Sequence, residues 1–282
     1  MTLRMVVAGL GYSGAAIAVE AAAKGFAVTG TARDPSRAAA VPLVGFAEAG
    51  EAIRAATHLI VTAGPEEAGC PVLLAHAAAI AGAPGLRWIG YLSTTGVYGD
   101  RGGAEVDEAT PPAPGQPRSA HRLRVEEAWR AVAAARGAAL DLFRVGGIYG
   151  PGPGRSALED VRRGTARRVV KPGHSFSRIH RDDIALAVVA AARQDHAGTR
   201  VLHLVDDEPA PNADVVAEAA RLLGVAPPPE IPFEQASVAM SPMGRSFWAE
   251  NRRVANAATK AALGIAWRYP TYREGLAQIL KG

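Results

Sequence analysis

An α/β fold is predicted for this chain of 282 residues: a doubly wound parallel sheet followed by a small mixed C-terminal lobe. Three observations carry the prediction. Short apolar runs alternate with longer alanine-rich segments through the first half, the pattern of a parallel sheet covered by helices on both faces. The segment GLGYSG, Gly9 to Gly14, lies between one such run and one such segment. After Gly150 the alternation loosens into shorter, loop-rich pieces.

The apolar run Met5-Val6-Val7-Ala8 sets the first strand at Arg4–Ala8, and the alanine-rich stretch sets a helix at Ala15–Lys24. Strand, glycine turn and helix in that order form the phosphate-binding start of a Rossmann-type dinucleotide fold. Gly9 permits the tight turn, Gly11 lets the backbone approach a pyrophosphate, and Gly14 lets the helix pack closely on the strand. The helix N-terminus then offers free amides and a positive dipole end to the anion. Further strands are predicted at Ala27–Ala32, His58–Ala63, Leu86–Ser93 and Ala139–Val145, with helices at Glu66–Ala81 and Ser119–Arg136. The Gly- and Pro-rich stretch Arg101–Pro117 reads as a loop. Pro151-Gly152-Pro153-Gly154 opens the looser part, which contains helices at Ser156–Arg163, Asp182–Arg193, Asn212–Leu223 and Thr271–Leu280 and a strand at Val201–Val205. Residues 1–155 are expected to form the nucleotide-binding core. Residues 156–282 form mostly a substrate lobe, with segments around 174–205 returning to the core.

Composition narrows the class. Hydrophobic residues make up 49% and charged residues 21%, ordinary values for a globular protein. No apolar run reaches the roughly 18 residues that span a membrane, and the N-terminal run passes straight into the glycine turn rather than a cleavage site. Cys70 is alone, which leaves no disulfide framework or cysteine metal cluster. The Asp and Glu residues show no metal-ligand spacing either. A cytoplasmic protein is expected, with no membrane and no nucleic-acid partner, since the basic residues form no aromatic-interleaved cluster. The net charge of +4 comes largely from arginine, and the lysines are only Lys24, Lys171, Lys260 and Lys281. Arginine binds phosphate in a planar, bidentate fashion, so an anionic ligand is one reading of this excess and a compositional preference is the other.

Four segments in order, GLGYSG, YLSTTGVYGD (Tyr91–Asp100), FRVGGIYGPG (Phe143–Gly152) and SRIHRDDIA (Ser177–Ala185), resemble the extended short-chain dehydrogenase/reductase superfamily. The last three look like its active-site strand, the strand flanking the nicotinamide and the start of its substrate lobe. The resemblance implies cofactor contacts from Gly9, Gly11, Tyr12, Ser13, Gly14, Ala63, Gly64, Val145 and Gly146. It also makes Thr94 the catalytic Ser/Thr, places Tyr98 at the edge of the substrate cleft, and leaves a homodimer through the long sheet-covering helices open. Two features depart from the superfamily's pattern. The first glycine of its Gly-x-x-Gly-x-x-Gly would fall at Ala8, whereas here it sits at Gly9. The Tyr-x-x-x-Lys pair of its chemistry is absent, because no tyrosine lies between Tyr98 and Tyr149 and no lysine between Lys24 and Lys171. Alignment of the helix puts Arg118 and Arg122 at that pair. The chain therefore resembles an atypical member, similar to a bacterial group labelled epimerase/dehydratase-like.

Several residues have two readings. Arg33 is the first charge after the second strand, where an NAD site usually carries an acid, so NADP is favoured over NAD, with Arg37 a second contact and Asp34 a counter-signal. Thr94 would bond a substrate oxygen, or else only satisfy local backbone. Tyr98 and Tyr149 offer a phenol in place of the missing acid/base, or else pack their rings. Arg118 and Arg122 would hold cofactor or substrate oxygens, since arginine cannot shuttle protons with a pKa above about 12. His121, about 100° around the helix from Arg122, is read as a surface residue. His180 is read as structural, with Asp183 bonding nearby backbone or an arginine. Arg144 ends a buried strand and should be paired or point into the cleft. The expected function is an NADP-dependent oxidoreductase or epimerase-like enzyme acting on a polar small molecule, with a sugar nucleotide or phosphorylated compound among the candidates. The alternative is a non-catalytic NADP(H)-binding redox sensor.

Overall fold

The computed structural model describes residues 2–282. Seven parallel strands form the central sheet: β1 (Arg4–Ala8), β2 (Ala27–Ala32), β3 (Leu43–Gly45), β4 (His58–Val61), β5 (Trp88–Thr94), β6 (Ala139–Val145) and β7 (Thr199–Leu204). Their spatial order is β3-β2-β1-β4-β5-β6-β7. The chain runs to one side of β1 through β2 and β3, then crosses to β4 on the other side. A crevice therefore opens between β1 and β4 at the C-terminal ends of the strands, where doubly wound sheets bind ligands.

Both faces of the sheet are covered, as near-continuous apolar strands require. Alternation along β1 sends Met5 and Val7 to one core, with Ile17, Phe143 and Ile184, and Val6 to the other, with Leu59, Tyr91 and Trp129. The first face carries α1 (Tyr12–Ala23) and α6 (Arg181–Ala192). The second carries α2 (Gly50–Arg54), α3 (Pro71–Ala81) and α4 (Pro117–Arg136). Pro117 opens α4 at its first turn, and Gly137 closes it in the left-handed region at φ 65°. Between β6 and the C-terminus lie α5 (Ala157–Arg162), α7 (Asn212–Leu223) and four further helices, at Phe233–Val238, Pro242–Trp248, Ala257–Leu263 and Tyr272–Lys281. Three parallel two-strand pairs complete the architecture: Gly147–Tyr149 with Arg178–His180, Arg168–Val170 with Glu230–Pro232 inside this part, and Glu105–Val106 with Arg253–Val254, which ties it to the core.

Several boundaries differ from expectation for local reasons. Helix α1 begins at Tyr12, so Gly14 is already inside its first turn. The predicted helix from Glu66 begins instead at Pro71, because Glu66 and Gly69 exchange backbone hydrogen bonds in a turn with Gly69 at φ 127°. The stretch Arg101–Pro117 is mostly loop but contributes the strand Glu105–Val106. Neither β3 nor α2 is anticipated by the sequence pattern. No helix among the described residues is long and apolar enough to cross a membrane.

Candidate active site

The glycine loop leaves β1 and turns directly into α1. Gly9 has φ 104°, and a Cβ there would lie 2.9 Å from the Ala63 amide nitrogen. Its own N–H donates to Thr31 Oγ1 at 3.0 Å, and Thr62 Oγ1 donates to its carbonyl. These two threonines, from the ends of β2 and β4, brace the turn. A Cβ on Gly14 would sit 2.5 Å from the Gly9 carbonyl oxygen, so helix and loop touch backbone to backbone. Gly11 differs: a Cβ there meets nothing within 4 Å. Gly11 is also the N-cap of α1, with no side chain capping it, so the amides of Tyr12 and Ser13 face forward without a cap. Open space, free amides and a helix dipole together fit a pyrophosphate.

This loop lines a cavity of about 660 Å³ with Thr31, Arg33, Arg37, Ala63 and Gly64. At its far end Asp34 is engaged with its own turn, accepting from Ser36 N at 3.0 Å and Ser36 Oγ at 2.6 Å. Those bonds hold its carboxyl below the usual range. Arg37 donates to the Leu10 carbonyl, reaching back over the loop.

Gly64 is shared with a second cavity of about 590 Å³, which continues along the same edge of the sheet. Thr94, at the end of β5, caps the following 3₁₀ turn: its Oγ1 accepts from Gly96 N at 3.1 Å, which leaves its hydroxyl proton free to donate. Val145 and Gly146 form the floor beyond β6. Arg118 and Arg122, one helical turn apart on α4, both line this cleft. Arg122 Nη1 donates to Leu92 O at 2.9 Å and Tyr91 Oη at 3.3 Å. Arg118 lies over the Phe247 ring, 3.9 Å from its centroid. His121, on the same helix, does not line the cleft.

Tyr98 and Tyr12 turn their side chains elsewhere. Tyr98 is fully buried, not at the cleft. Its hydroxyl accepts from Arg144 Nη1 at 2.8 Å and stands 2.5 Å from His203 Nε2. Tyr98 is the last residue of a 3₁₀ turn, and burial raises its pKa. Tyr12 lines neither cavity described so far; its hydroxyl donates to Pro151 O at 2.9 Å, and Arg155 and Arg181 flank its ring. Ser13, which follows it, is buried.

Beneath the cleft runs a continuous polar chain. Ser93 Oγ donates to Glu126 Oε1 at 2.5 Å, and Glu126 pairs with Arg144 at 2.8 Å with both side chains buried. Arg144 leads on to Tyr98 and His203. His203 Nδ1 lies 2.7 Å from the Ala255 carbonyl, which fixes Nδ1 as the donor and Nε2 as the acceptor from Tyr98. Burial lowers the His203 pKa, in keeping with a neutral ring.

The lobe closes the cleft with Phe176, Arg178, Asn212, Trp248, Glu250 and Arg252. Arg252 Nη1 donates to Gly99 O at 2.8 Å and pairs with Glu250 at 2.9 Å. Tyr149 is buried, its hydroxyl donating to Thr271 O at 3.4 Å, and it does not line the cleft. His180 caps α6, accepting from Asp182 N at 3.2 Å between the rings of Tyr149 and Tyr269. Asp183 accepts from the amides of Arg268 and Tyr269 at 2.7 and 3.1 Å. Sequence reasoning missed Ser119, Asn212 and the bracing Thr31 and Thr62. Ser119 follows Arg118 directly at the start of α4 and was within reach of the alignment; the others act across long sequence separations.

Comparison with known proteins agrees with this geometry. The profile of the NAD dependent epimerase/dehydratase family matches residues 46–203, more than half of the chain. A 3-diazoavenalumate denitrifying reductase from Streptomyces sp is 33% identical over 213 residues, 72% of this chain and 68% of that protein. A functionally unknown conserved protein from Silicibacter pomeroyi DSS superposes with a TM-score of 0.88 at 39% identity, covering 99% of each chain. A human epimerase family protein solved with NADPH shares the fold, with a TM-score of 0.77 at 20% identity over 99% of each chain. Family profile, fold and substituted catalytic pair lead to one assignment: the chain is an atypical member of the NAD dependent epimerase/dehydratase family, within the extended short-chain dehydrogenase/reductase superfamily.

Proposed function

We propose that the protein is an NADP-dependent reductase acting on a polar small molecule. The observation that carries this reading is the pair of cavities meeting at Gly64, one built on the glycine loop and the other on Thr94 and the arginines of α4. The reductase relative from Streptomyces supports the class of reaction. NADP is favoured over NAD because Arg33 and Arg37 line the far end of the first cavity while Asp34 is engaged by Ser36. An arginine there suits a 2′-phosphate.

A nicotinamide dinucleotide held by the glycine loop would supply hydride chemistry. The residues of the chain do the remaining work. Thr94 donates its free hydroxyl to a substrate oxygen and so orients the reacting carbon. Arg122, held by Leu92 O and Tyr91, and Arg118, held on Phe247, place two fixed positive charges where the superfamily has its Tyr and Lys. Preorganised cations stabilise negative charge developing on a substrate oxygen without transferring a proton. Glu250, the one carboxylate lining the cleft, is paired with Arg252, so the proton is drawn from water.

Thermal-shift titration with NADPH, NADP⁺, NADH and NAD⁺ tests the cofactor. Arg33→Ala should weaken NADPH about tenfold and leave NADH unchanged, a loss of one charge-assisted contact; equal effects on both would refute the NADP assignment. Thr94→Val should reduce turnover about a hundredfold with NADPH affinity unchanged. Selective stabilisation by one redox form, with no metabolite adding to it, would instead identify a redox sensor.

A further inference from the structure

Arg178 stands at the passage between the cleft and a further cavity of about 500 Å³ in the C-terminal lobe, and with Asn212 and Trp248 it lines both. Its Nη1 donates to two backbone carbonyls, Phe176 O at 2.9 Å and Ala210 O at 2.8 Å. Those bonds fix the guanidinium plane without neutralising its charge. Among the described residues no acid forms an ion pair with it. Glu250 is paired with Arg252 at 2.9 Å. Asp206 is 1% exposed, and neither of its carboxylate oxygens makes a hydrogen bond to Arg178. Burial pushes Asp206 up to about 8 against the attraction of the Arg178 charge, and burial also works against that charge.

A partly buried guanidinium that makes no ion pair gains from a negative charge brought from solution. The charges around it point the same way. Arg118, Arg122 and Arg252 line the cleft beside it, and Arg155 and Arg167 face Asp160 in the further cavity. The planar fork of arginine matches the two oxygens of a carboxylate or phosphate.

We propose that Arg178 is the specificity-determining residue, holding the carboxylate or phosphate-monoester end of the substrate at the passage between the two cavities, while the reacting end lies beside Thr94. The assignment rests on the cleft being the substrate site of a nicotinamide-dependent enzyme. It makes the substrate an organic anion long enough to reach from one cavity to the edge of the other.

The test is calorimetric titration of the full chain with benzoate, phenyl phosphate and neutral benzamide at fixed ionic strength, with and without saturating NADPH. One of the two anions should bind the wild type at least tenfold more tightly than benzamide, and which one does so distinguishes carboxylate from phosphate. Arg178→Gln should lose that preference, with NADPH affinity changed less than twofold. Arg178→Lys should keep the preference but bind the anion at least threefold more weakly, and this variant decides the matter should the glutamine variant fail to fold. No anion preference in the wild type, or a preference unaltered in the variants, overturns the proposal. An anion preference that depends on Arg178 in a protein that binds no NADPH would leave the anion site standing and refute the cofactor reading instead.

Discussion

Gly11→Ala separates holding the fold from holding a dinucleotide. The new methyl meets no atom within 4 Å, and the φ of −82° at Gly11 suits any residue, so neither clash nor strain opposes folding. The remaining cost is that of alanine in place of glycine at a helix N-cap, about 0.5–1 kcal/mol. For a chain of this size that lowers Tm by only about 2–4 °C per kcal/mol. The dinucleotide experiences something different. Its pyrophosphate must approach the Gly11 backbone closely enough to use the amides of α1, and the methyl occupies that approach. Loss of one charge-assisted hydrogen bond costs about 1.5–3 kcal/mol, which is about ten- to a hundredfold in Kd. Calorimetric titration with NADPH, beside thermal unfolding without it, measures both numbers on one sample. A Kd within twofold of wild type would refute the glycine loop as the phosphate site, and a loss of several kcal/mol in the free protein would refute the claim that Gly11 is structurally idle.

Two further predictions concern stability. Arg144→Met strands the buried Glu126 carboxylate and should cost about 3–5 kcal/mol in urea unfolding, with Glu126→Gln added to it recovering part of the loss. The pH dependence follows from four displaced groups. Burial lowers His58 and His180 to about 4, so these favour the folded state more as pH rises from about 4 to 6.5. Burial raises Asp183 to about 6 and Asp206 to about 8, so the folded chain holds protons that the unfolded chain has released, and stability falls as pH rises through that range. Above about pH 6.5 Asp206 dominates. Stability should therefore decline by about 1–2 kcal/mol between pH 6.5 and 8.5, and Asp206→Asn should flatten the decline; an unchanged slope in that variant would refute the assignment.

Much of the nucleotide half was legible because its signals are local. The order of strand, glycines and helix is written in adjacent residues, and the alternation of apolar runs placed β1, β2 and β6 to the residue. The absence of a tyrosine and lysine on α4 was equally plain. What escaped depended on distance or direction. Leu43–Gly45 and Gly50–Arg54 are too short for any periodicity to show, and they form because the edge of β2 and the surface of α3 receive them. Thr31 and Thr62 became meaningful only when the fold brought them against Gly9. Tyr98 was identifiable as an aromatic near the right strand end, but its direction is set by a 3₁₀ turn and by His203, more than a hundred residues later. Arg178 is one arginine among many in the sequence, and its fixing by the Phe176 and Ala210 carbonyls is a property of the packed molecule.

The polar chain under the cleft joins β5, α4, β6, the 3₁₀ turn and β7, and through the Ala255 carbonyl it reaches the segment that leads into the helix Ala257–Leu263. Its links are charged or aromatic and shielded from water, so breaking any one exposes an unsatisfied group in the others. The lobe therefore cannot loosen by itself: opening its C-terminal segment also withdraws support from the strand that presents Thr94. Amide hydrogen exchange should show the backbone around Ser93, Arg144 and His203 opening as one unit at one free energy, rather than as a rigid sheet beside a fraying lobe.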